Sequence, residues 1–137
     1  MRGIYKHYKG NDYEVIGVAK DEAKKIEYVV YKQLYGDYAL WIRPLSMFTE
    51  IITHEGNAIK RFEKTAEAEP TQAPKLPNQM VTHSETGDQY KIYYSTYGDM
   101  LVRREGNTYR TDEMADFESP DMWEKEERVG SWGNIGR

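Results

Sequence analysis

At 137 residues and with a net charge of −4, the chain has the size and composition of one ordinary soluble domain or of two very small ones. It has no dominant basic region and no long apolar run, which disfavours generic nucleic-acid binding and a membrane helix. It contains no Cys, which excludes disulfide frameworks and thiolate metal sites and makes the cytoplasm the expected location.

The first predicted elements are short strands separated by turns. Residues 13–19 are predicted to form a strand. The stretch 21–35 leaves two alternatives open, a helix or a charged turn followed by a strand over 28–35. The β-branched and aromatic residues that crowd its second half favour the strand. Further strands are predicted at 38–43, 48–53 and 58–62. Strands of this length and spacing are typical of a small barrel.

A segment rich in proline and alanine, residues 64–77, marks the clearest boundary in the chain. Because each proline removes a backbone donor, the segment is predicted to be a flexible linker. It separates a first module, residues 1–63, from an acidic second module, residues 78–137. The second module is predicted to contain an antiparallel meander over 89–111, with a turn at its Glu-Gly-Asn tripeptide. A short helix is predicted near 120–128, where Ser-Pro-Asp supplies a cap and a first turn.

A series of short motifs occurs in order through the first module. They are His7-Tyr8-Lys9-Gly10, Tyr13–Ala19, Val29-Val30-Tyr31, Leu34-Tyr35-Gly36-Asp37, Leu40–Pro44, Met47-Phe48 and Arg61-Phe62. Together they resemble the bacterial and phage domain-of-unknown-function family numbered 1653. The resemblance implies an SH3-like β-barrel and a turn plus strand, not a helix, over 21–35. The expected fold is therefore mostly β: a small SH3-like barrel, then a small antiparallel meander with a short C-terminal helix. No activity comes with the family.

One loop departs from the family pattern. Relatives typically carry His-Ser-Glu-Thr between their first two strands, where this chain has Asp21-Glu22-Ala23-Lys24. A site in that loop of the relatives would be altered or lost here. The tetrapeptide recurs as His83-Ser84-Glu85-Thr86 in the second module, where we interpret it as a chance match. Tyr-Gly-Asp also occurs twice, at 35–37 and 97–99, but as an ordinary turn tripeptide it is only a weak indication of duplication.

The surplus of aromatic residues is the strongest functional signal. The chain has 12 Tyr and 3 Trp, and exposed aromatic rings beside an arginine can stack planar ligands or bind peptides. We expect such a surface at the barrel rim, formed by Tyr8, Tyr35, Trp41 and Arg43. In the alternative interpretation, the aromatic rings fill the core and Arg43 bridges loop carbonyls.

The sequence shows no nucleophile motif, no phosphate-binding loop and no paired metal ligands. It favours a non-catalytic binding protein without a cofactor or metal, whose ligand is a peptide segment of a partner protein or a nucleotide-like molecule. Membranes and nucleic acid are disfavoured as partners, and self-association is left open because modules this small are marginal alone. Two alternatives are a phage-type inhibitor, which occupies a host protein or sequesters a signalling nucleotide, and a small hydrolase with a site between the modules.

Overall fold

The computed structural model describes residues 1–69 and 74–108, and within them the fold is mostly β, as predicted. The elements are β1 (Gly3–His7), β2 (Asp12–Asp21), β3 (Ile26–Gln33), β4 (Leu40–Pro44), α1 (Leu45–Phe48), β5 (Ile51–His54), β6 (Asn57–Lys60), β7 (Phe62–Glu67), β8 (Met80–His83), β9 (Asp88–Tyr94) and β10 (Met100–Thr108). The turn and strand implied for 21–35 are confirmed. The helix predicted near 120–128 lies outside the described residues.

Eight of these strands form one sheet in the order β10-β9-β8-β4-β3-β2-β1-β7. Strand β10 also pairs with β2, and this contact closes β2, β3, β4, β8, β9 and β10 into a six-stranded barrel. β5 and β6 form a separate hairpin. The predicted barrel and meander are both present, and the meander β8–β10 supplies half of the strands that close this barrel.

Two predicted boundaries differ from those of the structure. Residues 64–67, predicted as the start of the linker, lie in β7 because they pair with β1. The turn predicted at 105–107 is wrong, because β10 continues through these positions. A register shift between Arg104 and Thr108 accommodates them in the pairing with β9. The division into two independent modules stays a prediction.

The central strand β3 is buried on both faces. Tyr28 and Val30 belong to one hydrophobic cluster, whereas Val29 and Tyr31 belong to another. The first cluster, called the barrel core, contains Ile16, Ala19, Tyr28, Val30, Ile42, Val81, Tyr90, Ile92 and Val102. The second, called the flank core, contains Tyr5, Tyr13, Val15, Val29, Tyr31, Trp41, Phe48 and Phe62. Since the barrel core takes side chains from all six barrel strands, both halves of the chain contribute to it.

A bulge in β2 distributes its side chains between the two cores. The pairing of β2 with β3 shifts register between Val15 and Gly17, which leaves Ile16 as an extra residue. An extra residue changes which face of the sheet the following side chains occupy. Tyr13 and Val15 therefore lie in the flank core, whereas Ile16 and Ala19 lie in the barrel core.

The meander β2–β4 and the meander β8–β10 repeat the same pairings. The pair of Ala19 and Tyr28 in the first meander corresponds to the pair of Val81 and Tyr90 in the second. In the same way, the pair of Tyr31 and Trp41 corresponds to the pair of Tyr93 and Leu101. The two parallel contacts that close the barrel are equivalent as well, since Trp41 pairs with Thr82 and Leu101 with Lys20. The two meanders are thus related by an approximate two-fold repeat, in which these paired positions have counterparts.

Candidate binding site

Two of the four predicted site residues lie in the interior instead of at an exposed rim. Trp41 is 5% exposed, and its indole N–H donates to the side-chain oxygen of Gln33. Arg43 is fully buried, with its guanidinium carbon 5.7 Å from the centroid of the Phe62 ring. The prediction of a rim exposing both side chains is therefore wrong. Both side chains lie on the face of β4 that the flank core covers. Burial of the Trp41 ring there is more favourable than its exposure to water, because it removes apolar surface from water.

The other two predicted residues are half-buried tyrosines. The hydroxyl of Tyr35 lies 2.7 Å from that of Tyr13, so its polar end is hydrogen-bonded to a core residue. The ring of Tyr8 stacks on His7 at 4.7 Å and meets His54 edge-on at 4.8 Å. Both tyrosines contact other residues of the first half of the chain. Whether either one contacts a ligand stays a prediction.

Arg43 is held by the turn between β8 and β9. Its Nε donates to the hydroxyl of Ser84 at 3.1 Å, and its Nη2 lies 3.3 Å from the Glu85 carboxylate. The backbone N–H of Ser84 donates to the carbonyl of Ile42, which fixes the turn against β4. The tetrapeptide His83–Thr86, interpreted from the sequence as a chance match, thus supplies the carboxylate of an ion pair between the two meanders.

This turn has a counterpart between β2 and β3 with the same hydrogen bonds. His83 Nδ1 accepts from the backbone N–H of the residues two and three positions later, at 3.1 and 3.2 Å. Asp21 Oδ1 accepts from the equivalent N–H groups, at 3.1 and 3.4 Å. In both turns the fifth residue has a positive φ, 79° for Gly87 and 58° for Lys25. The two turns therefore present their second and third residues in the same way.

The counterpart of Arg43 in the second meander is Arg103, because Arg43 pairs with Val29 and Arg103 with Lys91 at the equivalent position. In contrast to Arg43, Arg103 is exposed. Its guanidinium lies 4.9 Å from the centroid of the Tyr93 ring. An arginine against an aromatic ring, with Arg103 exposed and Tyr93 half-buried, is thus present on β9 and β10, and not at the residues predicted to form such a pair.

A cavity adjoins this pair. Its volume is about 170 Å³, and its lining is formed by Asp21, Glu22, Ala23, Tyr93, Leu101, Val102 and Arg103. It lies at the turn between β2 and β3, which is the counterpart of the turn between β8 and β9 that holds Arg43. Ala23 occupies the position of Glu85, and Glu22 that of Ser84. The cavity is therefore the open counterpart of the filled ion-pair site at Arg43.

A second, larger concavity of about 310 Å³ lies at the contact between β2 and β10. Its lining is formed by Val18, Ala19, Lys20, Glu22, Glu27, Asp99, Met100 and Leu101. It shares Glu22 and Leu101 with the first cavity. Carboxylates outnumber cations around the two openings together, so this region of the surface is net acidic and repels ligands of high negative charge.

Inside the barrel, Tyr28 and Tyr90 are a symmetric pair with ring centroids 5.7 Å apart. Burial, then a hydrogen bond with Tyr90, raises the pKa of Tyr28 well above its ordinary value. The pair is enclosed and 1–2% exposed, so it belongs to the core and not to a surface site. Within residues 1–69 and 74–108, no cluster of three His, Asp or Glu could hold a metal ion. No helix in the described part of the chain could span a membrane.

Sequence reasoning missed Tyr93 and Arg103, although the signal that finds them was present. The same number of residues separates the two members of each repeated feature. These features are the Tyr-Gly-Asp tripeptides at 35–37 and 97–99 and the turns at 21–25 and 83–87. Aligning the chain on that offset places Arg103 opposite Arg43, once the shorter loop before β10 is allowed for. Neither signal is specific alone, since turn residues recur in unrelated turns.

Comparison with known proteins agrees with the resemblance of the first half. Residues 3–64 match a family model described as a protein of unknown function, DUF1653. A crystal structure of a DUF1653 protein from Bordetella bronchiseptica is 27% identical, covers 52% of this chain and 94% of that chain, and has a TM-score of 0.46. No curated protein matches the chain. The predicted resemblance is thus confirmed for a range that ends inside β7.

Proposed function

We propose that this protein is a non-catalytic binding protein that recognises a peptide segment of a partner protein at Tyr93, Arg103 and the cavity beside them. The observation that carries the proposal is the exposed guanidinium of Arg103, 4.9 Å from the Tyr93 ring centroid and on the cavity wall. A tyrosine and an arginine that are already stacked lose little freedom when they bind, and both residue types are enriched where peptides are bound tightly.

The charge around the cavity favours a peptide over a nucleotide. Glu22 and Asp21 line the cavity, and Glu27 and Asp99 line the neighbouring concavity. Each would repel the phosphates of a nucleotide at close range. A peptide has at most a few charges, spaced along its backbone, and its carbonyl and aliphatic groups can contact Tyr93 without that repulsion. A cytoplasmic location and self-association stay predictions.

The experiment is a selection of random heptapeptides on the immobilised full-length protein. Peptides enriched by the unaltered protein are then measured against Arg103→Ala, with Arg104→Ala as the matched control. Arg104 is also exposed, but its Nε lies 3.3 Å from the Asp88 carboxylate, away from the cavity. We expect Arg103→Ala to weaken binding about tenfold or more and Arg104→Ala to leave it unchanged.

Two results would contradict the proposal. One is the absence of any enriched peptide, and the other is an enriched set that binds equally well to Arg103→Ala. Titration with adenosine monophosphate supplies the other ligand class. Tight nucleotide binding that depends on Arg103, without any peptide binding, would replace the peptide by a nucleotide.

A further inference from the structure

The ligand group that Arg103 binds can be inferred from its counterpart in the first meander. Arg43 has the carboxylate of Glu85 3.3 Å from its Nη2 and the hydroxyl of Ser84 3.1 Å from its Nε. The strand pairings around the two arginines are equivalent, including the parallel contacts that bring each one to its turn. At the position of Glu85, the turn beside Arg103 has Ala23, whose methyl group cannot pair with a guanidinium.

The place of the missing carboxylate is open. Ala23 and Arg103 both line the cavity of about 170 Å³, and both are exposed. Within the described ranges 1–69 and 74–108, Arg103 forms no ion pair with a carboxylate. A carboxylate has the planar shape and charge that a guanidinium binds through two parallel hydrogen bonds.

We infer that Arg103 binds a carboxylate of the ligand, in the position that corresponds to Glu85 at Arg43. The inference rests on the proposed function and names the group that the site takes. That group is either the C-terminal carboxylate of the bound peptide or the side chain of an Asp or Glu residue within it. In both cases the Tyr93 ring packs against one face of the Arg103 guanidinium. The N–H groups, which lie in the plane of the guanidinium, are then left for the carboxylate.

Glu22 limits the site to a ligand of low negative charge. It corresponds to Ser84 and adds a carboxylate to the cavity wall. Because Glu22 is exposed, water and salt screen its repulsion of one further carboxylate. The paired hydrogen bonds to Arg103 act only at short range and are charge-assisted. A single carboxylate can therefore bind, whereas a polyanion meets the sum of the acidic neighbours.

The test uses sodium acetate as the probe and the full chain labelled with nitrogen-15. The Nε–Hε signal of Arg103 is assigned by its loss in Arg103→Lys. We expect acetate to shift this signal saturably and to leave the signal of Arg104 unchanged at constant ionic strength. Ala23→Glu places a carboxylate at the exposed position that corresponds to Glu85. In this variant we expect the Arg103 signal to be shifted in the absence of acetate and not to change when acetate is added.

Three outcomes would overturn the inference. They are a response to acetate that does not saturate, an unchanged response in Ala23→Glu, and a saturable response to inorganic phosphate but not to acetate. If the selected peptides still require Arg103 in any of these cases, the proposed function stands and the carboxylate alone is wrong. If acetate binds as expected, N-acetylglycine and the α-amide of N-acetylglutamate separate the two sources of the carboxylate, with N-acetylglycinamide as the uncharged control.

Discussion

Arg43 and Glu85 form an ion pair across the junction of the two meanders, with 3.3 Å between the guanidinium nitrogen and the carboxylate oxygen. Their side chains are 0% and 14% exposed. A charge that is buried with its partner becomes strongly unfavourable when the partner is removed. Each half of the chain therefore holds a buried charge that is paired with a charge of the other half.

Substitution of Glu85 by Ala is expected to lower the free energy of unfolding by about 3 kcal/mol, because it leaves the buried guanidinium of Arg43 without its carboxylate. The matched control is Glu105→Ala. Glu105 lies 3.9 Å from Lys91, with both side chains about one-third exposed, so its loss should cost less than about 1 kcal/mol. Urea denaturation of both variants measures the difference, and equal losses would contradict the assignment of Glu85 to a buried pair.

Arg43 and Arg103 occupy equivalent positions and are expected to respond differently to the same substitution. Arg43→Ala removes a fully buried side chain and its ion pair with Glu85, so we expect a loss of about 3 kcal/mol or more. Arg103→Ala removes an exposed side chain and should change stability by less than about 0.5 kcal/mol. Melting temperatures of the two variants give the comparison. A loss in Arg103→Ala as large as in Arg43→Ala would make Arg103 structural.

Tyr28 should make the protein sensitive to alkali. Burial and a hydrogen bond with Tyr90 raise its pKa, so the folded state favours the protonated phenol. This stabilisation is fully present below the unfolded-state pKa of about 10 and is lost as the pH rises through the folded-state pKa. The free energy of unfolding should therefore fall above about pH 10, and less steeply in Tyr28→Phe. Tyr97→Phe is the control, because Tyr97 is 92% exposed and should leave the pH profile unchanged.

Glu22→Ser is expected to strengthen the binding of acetate at Arg103. The substitution removes a carboxylate from the cavity wall and introduces the residue that the repeat has at this position, Ser84. We expect a gain of a few-fold, larger at low salt, because the repulsion that is removed is screened by ions. The Arg103 Nε–Hε signal, titrated at two salt concentrations, measures the change. Weaker binding in Glu22→Ser would mean that Glu22 helps to hold the anion.

Cleavage between the halves should leave two fragments that stay together. A cut after Lys75 separates β1–β7 from β8–β10, but β8 remains paired with β4 and β10 with β2. The barrel core also takes side chains from both fragments. We expect the cleaved protein to elute from a sizing column as one species, whose fragments separate only in denaturant. Two separate folded species would favour independent modules.

The parts of the fold that depend on local pattern could be predicted from the sequence. The β-branched and aromatic residues of 28–31 indicate β3, and the turn residues at 35–37 mark where it ends. The burial of Arg43 could not be predicted, because its partner Glu85 lies in a segment that the proline-rich stretch separates from it. Alternation also could not show that β3 is covered on both faces, since it assigns the core to one face and water to the other.

The parallel contact between β10 and β2, where Leu101 pairs with Lys20, has a consequence for the order in which the chain folds. Each meander can form from neighbouring residues, whereas this contact joins a residue at the end of β2 to one at the start of β10, far apart along the chain. Closing so long a loop costs conformational entropy before any barrel contact compensates for it, and such contacts slow folding. We therefore expect the two meanders to form early and the barrel to close last, when β10 pairs with β2.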